Sequence, residues 1–201
     1  MLRTLVICLS LFVFSFAPLA SAATVPADSI TAFHAVLLDN MRNGSKLACV
    51  GRTRQVTPAV DANFDLAFLT QRVLRRQWAA LTPEQRKQFS DTFRELVIST
   101  YAAQFSKFGG ETFATLDTQD LPDGTRLVHS KLTPGSGAPV TLDYVLHDTA
   151  GEWRVINVVA EGVSDLALRS TQYDKAYKAG GFDGLLALLQ NQIKGNKDNC
   201  S

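Results

Sequence analysis

The longest periodic stretch of the chain, residues 81–110, predicts one long amphipathic helix. Thr82 is the predicted N-cap, Pro83 occupies the first helical position, and Gln85 completes a capping box. The apolar positions that follow repeat at helical spacing, and they are Phe89, Phe93, Leu96, Val97, Tyr101, Phe105 and Phe108. A pair of glycines marks the predicted end of the helix. This aromatic-rich stripe fits two interpretations, an ordinary core helix or a helix whose rings wall a cavity.

Helical spacing also occurs before and after this stretch. The sequence predicts a first helix capped by Asp28, a helical segment over residues 65–80, and two C-terminal helices over residues 164–179 and 183–194. The stretch 46–60 is ambiguous, because Gly51 and Pro58 argue against one continuous helix. The two C-terminal helices are separated by paired glycines, which favour a helix end.

Four segments after the long helix alternate between apolar and polar residues, which predicts β-strands. They span residues 111–117, 125–133, 140–147 and 152–161. Short turn sequences rich in Pro, Asp and Gly join them, so we expect neighbouring strands to be antiparallel. The fourth strand is apolar on both faces, with Trp153, Val155 and Val159 on one and Ile156, Val158 and Ala160 on the other. The predicted fold class is α+β, with helices wrapped around a curved four-stranded antiparallel sheet that leaves an apolar cavity.

Residues 1–22 predict a cleaved export signal. Arg3 supplies the positive charge, residues 5–16 the apolar core, and Ala20-Ser21-Ala22 a small-residue cleavage site. The apolar run is shorter than the roughly 20 residues that span a bilayer. We therefore expect an exported chain with a single domain over residues 23–195 and a short tail over residues 196–201.

The charges of the chain are nearly balanced. It has 20 Lys+Arg and 19 Asp+Glu, and loss of Arg3 with the signal leaves 19 of each. A nucleic-acid-binding protein normally carries a basic stripe, which this sequence lacks. One local cluster, Arg72, Arg75 and Arg76, fits either a solvated helix face or a surface that meets an anionic headgroup or an acidic partner.

Loss of the signal also leaves two of the three cysteines, Cys49 and Cys200. An even pair in an exported chain favours a disulfide over two free thiols. Such a bond would tie the C-terminal tail to the N-terminal helices. The chain-entropy model gives it a stabilisation of about 4–5 kcal/mol.

Catalytic signals in the sequence are sparse. His34, His129 and His147 fall on separate predicted elements without metal-ligand spacing, although the last two could be neighbours across the sheet. The sequence has no G-x-S-x-G elbow, no Gly-rich phosphate loop and no H-E-x-x-H motif. Asp143 and Tyr144 are the weak candidates for a proton-transfer pocket. We therefore predict a protein that is not an enzyme and that needs no cofactor or metal.

Three motifs resemble the MlaC / toluene-tolerance (Ttg2) family of periplasmic lipid-binding proteins. The first is Leu81-Thr82-Pro83-Glu84-Gln85-Arg86, followed by Phe89, Phe93 and Thr100-Tyr101. The second consists of Leu142-Asp143-Tyr144-Val145-Leu146, Gly151-Glu152-Trp153-Arg154-Val155 and Glu161-Gly162-Val163-Ser164. The third is Gly180-Gly181-Phe182-Asp183-Gly184-Leu185-Leu186. Ile156-Asn157 and the segment Asp165-Leu166-Ala167-Leu168-Arg169 depart from the usual pattern. Both variants are more similar to the hopanoid-associated, HpnM-like branch.

The resemblance implies an MlaC-like or NTF2-like fold and a periplasmic carrier of one membrane lipid, either a hopanoid or a phospholipid. Its implied partners are an inner-membrane lipid transporter and an outer-membrane acceptor. We expect the cavity between the sheet and the helices at residues 65–74 and 83–108. Its predicted lining is Leu69, Val73, Phe93, Leu96, Val97, Tyr101, Phe105, Tyr144, Leu146, Val155 and Val159.

Two alternatives to a carrier remain open at this point. A periplasmic adaptor of a membrane transporter that binds no lipid would use basic residues as its interface, namely Lys46, Arg52, Arg54, Arg72, Arg75 and Arg76. An enzyme would need a buried carboxylate or histidine that faces the cavity, and Asp143 or His147 would be that group.

Overall fold

The computed structural model of the protein describes residues 25–200, so the predicted signal over residues 1–22 lies outside the described residues. The elements follow in the order α1 (Pro26–Arg42), α2 (Gly44–Asn63), α3 (Leu66–Leu74), α4 (Arg76–Ala80), α5 (Pro83–Gln104), β1 (Thr112–Asp120), β2 (Arg126–Thr133), β3 (Val140–Thr149), β4 (Glu152–Ala160), β5 (Val163–Ser164) and α6 (Asp165–Asn199). This order of helices, then strands, then helix confirms the predicted α+β class.

The five strands form one antiparallel sheet in the order β1-β2-β3-β4-β5. Four of them correspond to the predicted strands. The fifth is an addition, because Val163 and Ser164 continue past the turn and pair with the end of β4. Register shifts interrupt the β1–β2 and β3–β4 ladders, and such bulges increase the local bend of a sheet.

The N-terminal helices differ from the prediction in two details. Helix α1 begins at Pro26 after Val25, and Asp28 lies in its first turn instead of capping it. Proline fixes the helix start because its missing N–H would be unpaired there in any case. Helix α2 covers the ambiguous stretch, but its backbone breaks at Ala48, with φ 48° and ψ −178°, and not at Gly51 or Pro58.

The predicted helix over residues 65–80 is two helices. The Asp65 side chain caps α3 and accepts a hydrogen bond from the Phe68 N–H at 2.8 Å. Arg75 takes φ 52° and ψ −123°, which no α-helix accommodates, and this residue separates α3 from α4.

The capping box of the long helix α5 is confirmed. Thr82 Oγ1 accepts from the Gln85 N–H at 3.2 Å, and Gln85 Oε1 accepts from the Thr82 N–H at 3.0 Å. The helix ends at Gln104, earlier than predicted, where the buried Asn40 side chain donates to the Phe105 carbonyl at 2.8 Å. The predicted stripe residue Phe108 therefore lies beyond the helix.

Helix α6 contains both predicted C-terminal helices. Ser164 Oγ caps its start by accepting from the Ala167 N–H at 3.2 Å, as predicted. The helix breaks at Gly180 and Gly181, and Gly181 has φ 62° and ψ −153°, which favours glycine. Its second half continues to Asn199, so most of the predicted tail is helical.

The C-terminal end of α6 is fixed to α2. The predicted disulfide between Cys49 and Cys200 is confirmed, with a Cα–Cα distance of 5.2 Å. Arg52 beside it is only 5 % exposed and donates to the carbonyls of Gly44, Ala102 and Cys200. The expectation that Arg52 forms an exposed interface is therefore wrong, because its guanidinium is needed to satisfy the backbone carbonyls.

Candidate functional site

A cavity of about 240 Å³ lies between the sheet and helices α3, α5 and the start of α6. Eight of the predicted lining residues are on its wall, namely Leu69, Val73, Phe93, Val97, Tyr101, Phe105, Tyr144 and Val155. Leu96 and Leu146, at 2 % and 0 % exposure, belong instead to the packed core. The role of the wall residues in binding a lipid stays a prediction.

The predicted position of Val159 is wrong because β4 contains a β-bulge. Ile156 is an extra residue, since successive residues of β3 pair with Val155 and Asn157. Strict alternation from Val155 puts Val159 on the cavity side, whereas after the bulge Val158 lies there. Val159 is on the opposite face of the sheet.

Other wall residues were not predicted: Phe64, Thr100, Gln104, Leu142, Asn157, Val158, Ala160, Asp165, Leu166 and Arg169. Strand alternation and helical spacing in the sequence could have identified some of them. Leu142 shares a strand face with Tyr144, and Thr100 and Gln104 are one helical turn apart on α5. The path by which α6 leaves the sheet has no local signal, so Asp165 and Arg169 could not be found from periodicity.

Tyr144 links the cavity to a buried histidine. Its hydroxyl lies 3.0 Å from His34 Nε2, and both residues are 2 % exposed. The His34 ring stacks on Phe113 with ring centres 4.2 Å apart, while His34 Nδ1 has no hydrogen-bond partner within residues 25–200. Burial lowers the pKa of His34 from 6.5 to about 4. The ring is therefore neutral near pH 7 and adds no charge behind the cavity wall.

Aromatic side chains form the α5 side of the cavity. Tyr101 stacks on Phe105 with ring centres 5.9 Å apart and meets Phe33 edge-on at 5.1 Å. Burial raises the pKa of Tyr101 well above 10.0 and also raises that of Tyr144. Both phenols stay protonated, so the interior of the cavity is uncharged.

The charged groups of the cavity lie at its mouth. Arg169 Nε donates to Asp165 Oδ2 at 2.6 Å, and their side chains are 18 % and 51 % exposed. The exposed Gln104 lies on the α5 side of the same opening. An apolar interior with a polar edge suits an amphiphilic molecule.

The arginine cluster lies on the outer side of one cavity wall. Arg72, Arg75 and Arg76 are exposed on α3 and at the junction with α4. Leu69 and Val73 of the same helix α3 line the cavity. Two further basic residues of the adaptor hypothesis, Lys46 and Arg54, are exposed on α2.

Asp143 and His147, the acid–base candidates of the enzyme alternative, are not on the cavity wall, whereas Tyr144 is. Asp143 Oδ1 lies 3.1 Å from His129 Nδ1, and His147 Nε2 lies 2.8 Å from Asp65 Oδ2. His129 is therefore a neighbour of Asp143 across the sheet and not of His147. Each of these two histidines is therefore paired with a carboxylate away from the cavity wall.

No three side chains of His, Cys, Asp or Glu within residues 25–200 are grouped so that they could hold a metal ion. No helix in the same range combines the length and the apolar character needed to cross a bilayer.

The curated relatives of the chain include two bacterial proteins. The chain is 29% identical over 132 residues to the toluene tolerance protein ttg2D of Pseudomonas putida, covering 65% of this chain and 59% of that protein. It is 25% identical over 130 residues to the intermembrane phospholipid transport system binding protein MlaC of Haemophilus influenzae, covering 63% of this chain and 61% of that protein. The matched part thus spans about three fifths of each relative.

A solved structure has the same fold. It is the phospholipid-binding protein from Ralstonia solanacearum in complex with a phospholipid, with a TM-score of 0.75 and 22% identity, covering 86% of this chain and 99% of that chain. The family described as MlaC protein matches residues 33–191, which include the sheet, α5 and the whole cavity wall. The chain therefore belongs to the MlaC protein family.

Proposed function

We propose that this protein is a periplasmic carrier that holds one phospholipid in the cavity between its sheet and helices. The observation that carries the proposal is the cavity itself, about 240 Å³, with uncharged aromatic and aliphatic walls and a charged mouth. The relatives support the same conclusion, since one is named as a phospholipid transport binding protein and the structural neighbour binds a phospholipid.

A carrier is needed because lipid tails do not cross water unaided. Exposure of each CH₂ costs about 0.8 kcal/mol, so two long acyl chains carry a gross penalty of roughly 20–25 kcal/mol. A protein that removes this penalty must cover most of both chains. The cavity is smaller than the range of about 300–1,000 Å³ typical of ligand sites, so its walls must separate when a whole lipid enters.

The choice of a phospholipid over a hopanoid follows the named ligands of the relatives. The similarity of two segments to the HpnM-like branch keeps a hopanoid as the second candidate. A rigid polycyclic lipid loses less conformational entropy on binding and favours a preformed cavity, whereas flexible acyl chains suit walls that move.

The proposal places the carrier between an inner-membrane transporter and an outer-membrane acceptor. The surface best suited to a partner is the arginine cluster, because α3 joins it directly to two wall residues, Leu69 and Val73. Replacing Arg72 and Arg76 by glutamate should abolish transfer of lipid to acceptor membranes that carry the transporter. Replacing Lys46 and Arg54, both exposed on α2, by glutamate changes the net charge by the same amount; this double variant is the matched control and should transfer lipid normally.

The direct test of the carrier function is to identify the lipid that the protein binds in its native host. The protein is expressed with its export signal in the native host, purified without detergent, and extracted with organic solvent for mass spectrometry. We expect stoichiometric phospholipid in the wild type, a strong reduction in Val97→Phe, whose ring occupies the cavity, and no change in Val50→Phe, which is 73 % exposed. Protein without any lipid would overturn the proposal. A hopanoid in the extract would show that the ligand is a hopanoid and not a phospholipid.

A further inference from the structure

The mouth of the cavity carries one positive and one negative side chain, Arg169 and Asp165. The Arg169 side chain is the more buried of the two, with 18 % exposed, and the Asp165 side chain is the more accessible to solvent, with 51 % exposed. Both line the cavity, and a 2.6 Å hydrogen bond from Nε of the arginine holds them together. A lipid whose tails fill the interior therefore meets a positive group first and a negative group second as its headgroup emerges.

The guanidinium has donor capacity left over. Its Nε donates to Asp165, and Nη1 reaches the Tyr173 hydroxyl only at 3.5 Å. Within residues 25–200, Nη2 donates to no side chain or carbonyl. A largely buried guanidinium has five N–H donors and requires acceptor oxygens, either from the protein, from water or from a ligand.

We propose that this pair selects a phospholipid with a zwitterionic headgroup, in which a phosphodiester is followed by an ammonium. The phosphodiester oxygens accept from Nη of Arg169, and the ammonium lies beside the Asp165 carboxylate. The charge order of the ligand, inner negative and outer positive, is then the complement of the charge order of the site. An anionic headgroup without an ammonium places its surplus negative charge next to Asp165, which is unfavourable. This inference rests on the carrier function proposed above and adds the class of headgroup.

The test compares three lipids with identical acyl chains on delipidated protein, by competition against a fluorescent lipid. They are phosphatidylethanolamine, phosphatidylglycerol and diacylglycerol, which differ in the ammonium and in the phosphate. The variants are Asp165→Asn and Arg169→Gln. The matched control is Asp174→Asn, which breaks another i,i+4 ion pair of α6, Lys178–Asp174, away from the cavity.

We expect the wild type to bind phosphatidylethanolamine with about fivefold higher affinity than phosphatidylglycerol. This factor is the upper range of the contribution that a half-exposed ion pair makes to binding. Asp165→Asn should abolish this preference, and Asp174→Asn should keep it. Arg169→Gln should weaken both phospholipids by roughly tenfold or more, because it removes a charge-assisted hydrogen bond, and leave diacylglycerol unchanged.

The outcomes separate the two proposals. Failure of all three lipids to bind would contradict the carrier function itself. Binding of all three lipids with equal affinity, or a headgroup preference that survives in Asp165→Asn, would overturn the zwitterion proposal and leave the carrier intact. Asp165→Asn decides the question even if Arg169→Gln does not fold, since Asp165 is half exposed and its replacement disturbs little packing.

Discussion

The presence of a cavity can be tested by adding the same ring at two buried valines. Val97 on α5 is 7 % exposed and lines the cavity, whereas Val56 on α2 is 0 % exposed within the packed core. Substitution of each by phenylalanine makes the same chemical change inside a helix, so differences in helix propensity cancel. The two variants therefore compare open space with filled space.

The expected effects have opposite signs. At Val97 the ring enters the cavity of about 240 Å³ and buries additional carbon atoms, which stabilises the folded state by about 1 kcal/mol. At Val56 no such space is present, and over-packing costs about 1–3 kcal/mol. The two variants should thus differ by about 2–4 kcal/mol, or roughly 5–15 °C in Tm for a chain of this size.

The assay is urea unfolding of delipidated protein followed by tryptophan fluorescence. A lower midpoint for Val56→Phe with an unchanged or higher midpoint for Val97→Phe is the expected result. An equal loss of stability in Val97→Phe and Val56→Phe would contradict the presence of the cavity, because the interior around Val97 would then be as full as the rest of the core.

The remaining predictions concern single interactions and are all measured by urea unfolding. Stability should fall by about 3 kcal/mol between pH 6.5 and pH 4, because the folded pKa of His34, about 4, lies below its unfolded value of 6.5 and the unfolded state takes up the proton first. His34→Gln should remove that part of the slope, and an unchanged slope would contradict it. The double variant Cys49→Ser, Cys200→Ser should be about 4 kcal/mol less stable than the oxidised wild type and as stable as the reduced wild type. A double variant as stable as the oxidised wild type would contradict this expectation. Arg52→Met should cost about 3 kcal/mol by leaving three backbone carbonyls without their donor, and an effect near zero would show that water replaces it. Thr82→Ala should cost about 1 kcal/mol and Thr82→Ser far less, whereas equal losses in both would show that the hydroxyl cap is not the cause.

Local sequence signals predicted most of the elements. The capping box at Thr82, the glycine break at Gly181 and the alternation of β3 are interactions between residues near in sequence, and all three are confirmed. Where the prediction was wrong, a distant contact or an irregular backbone decides the structure. The early end of α5 depends on Asn40, which lies 65 residues away, and the separation of α3 from α4 depends on the positive φ of Arg75.

The cavity was predictable where regular periodicity holds and not where it fails. Tyr144 and Val155 follow simple alternation and lie on its wall. Val159 does not, because a single bulged residue reverses the faces of β4. The charged mouth was missed altogether, since the position of Arg169 depends on how α6 packs against the sheet and not on any pattern within the helix.

The disulfide joins two residues that are 151 positions apart in the chain. Every element from the middle of α2 to the end of α6, the whole sheet included, lies within the loop that this bond closes. A single proteolytic cut in the exposed turn between β1 and β2 would therefore leave two fragments that stay covalently joined and that separate on a denaturing gel only after reduction.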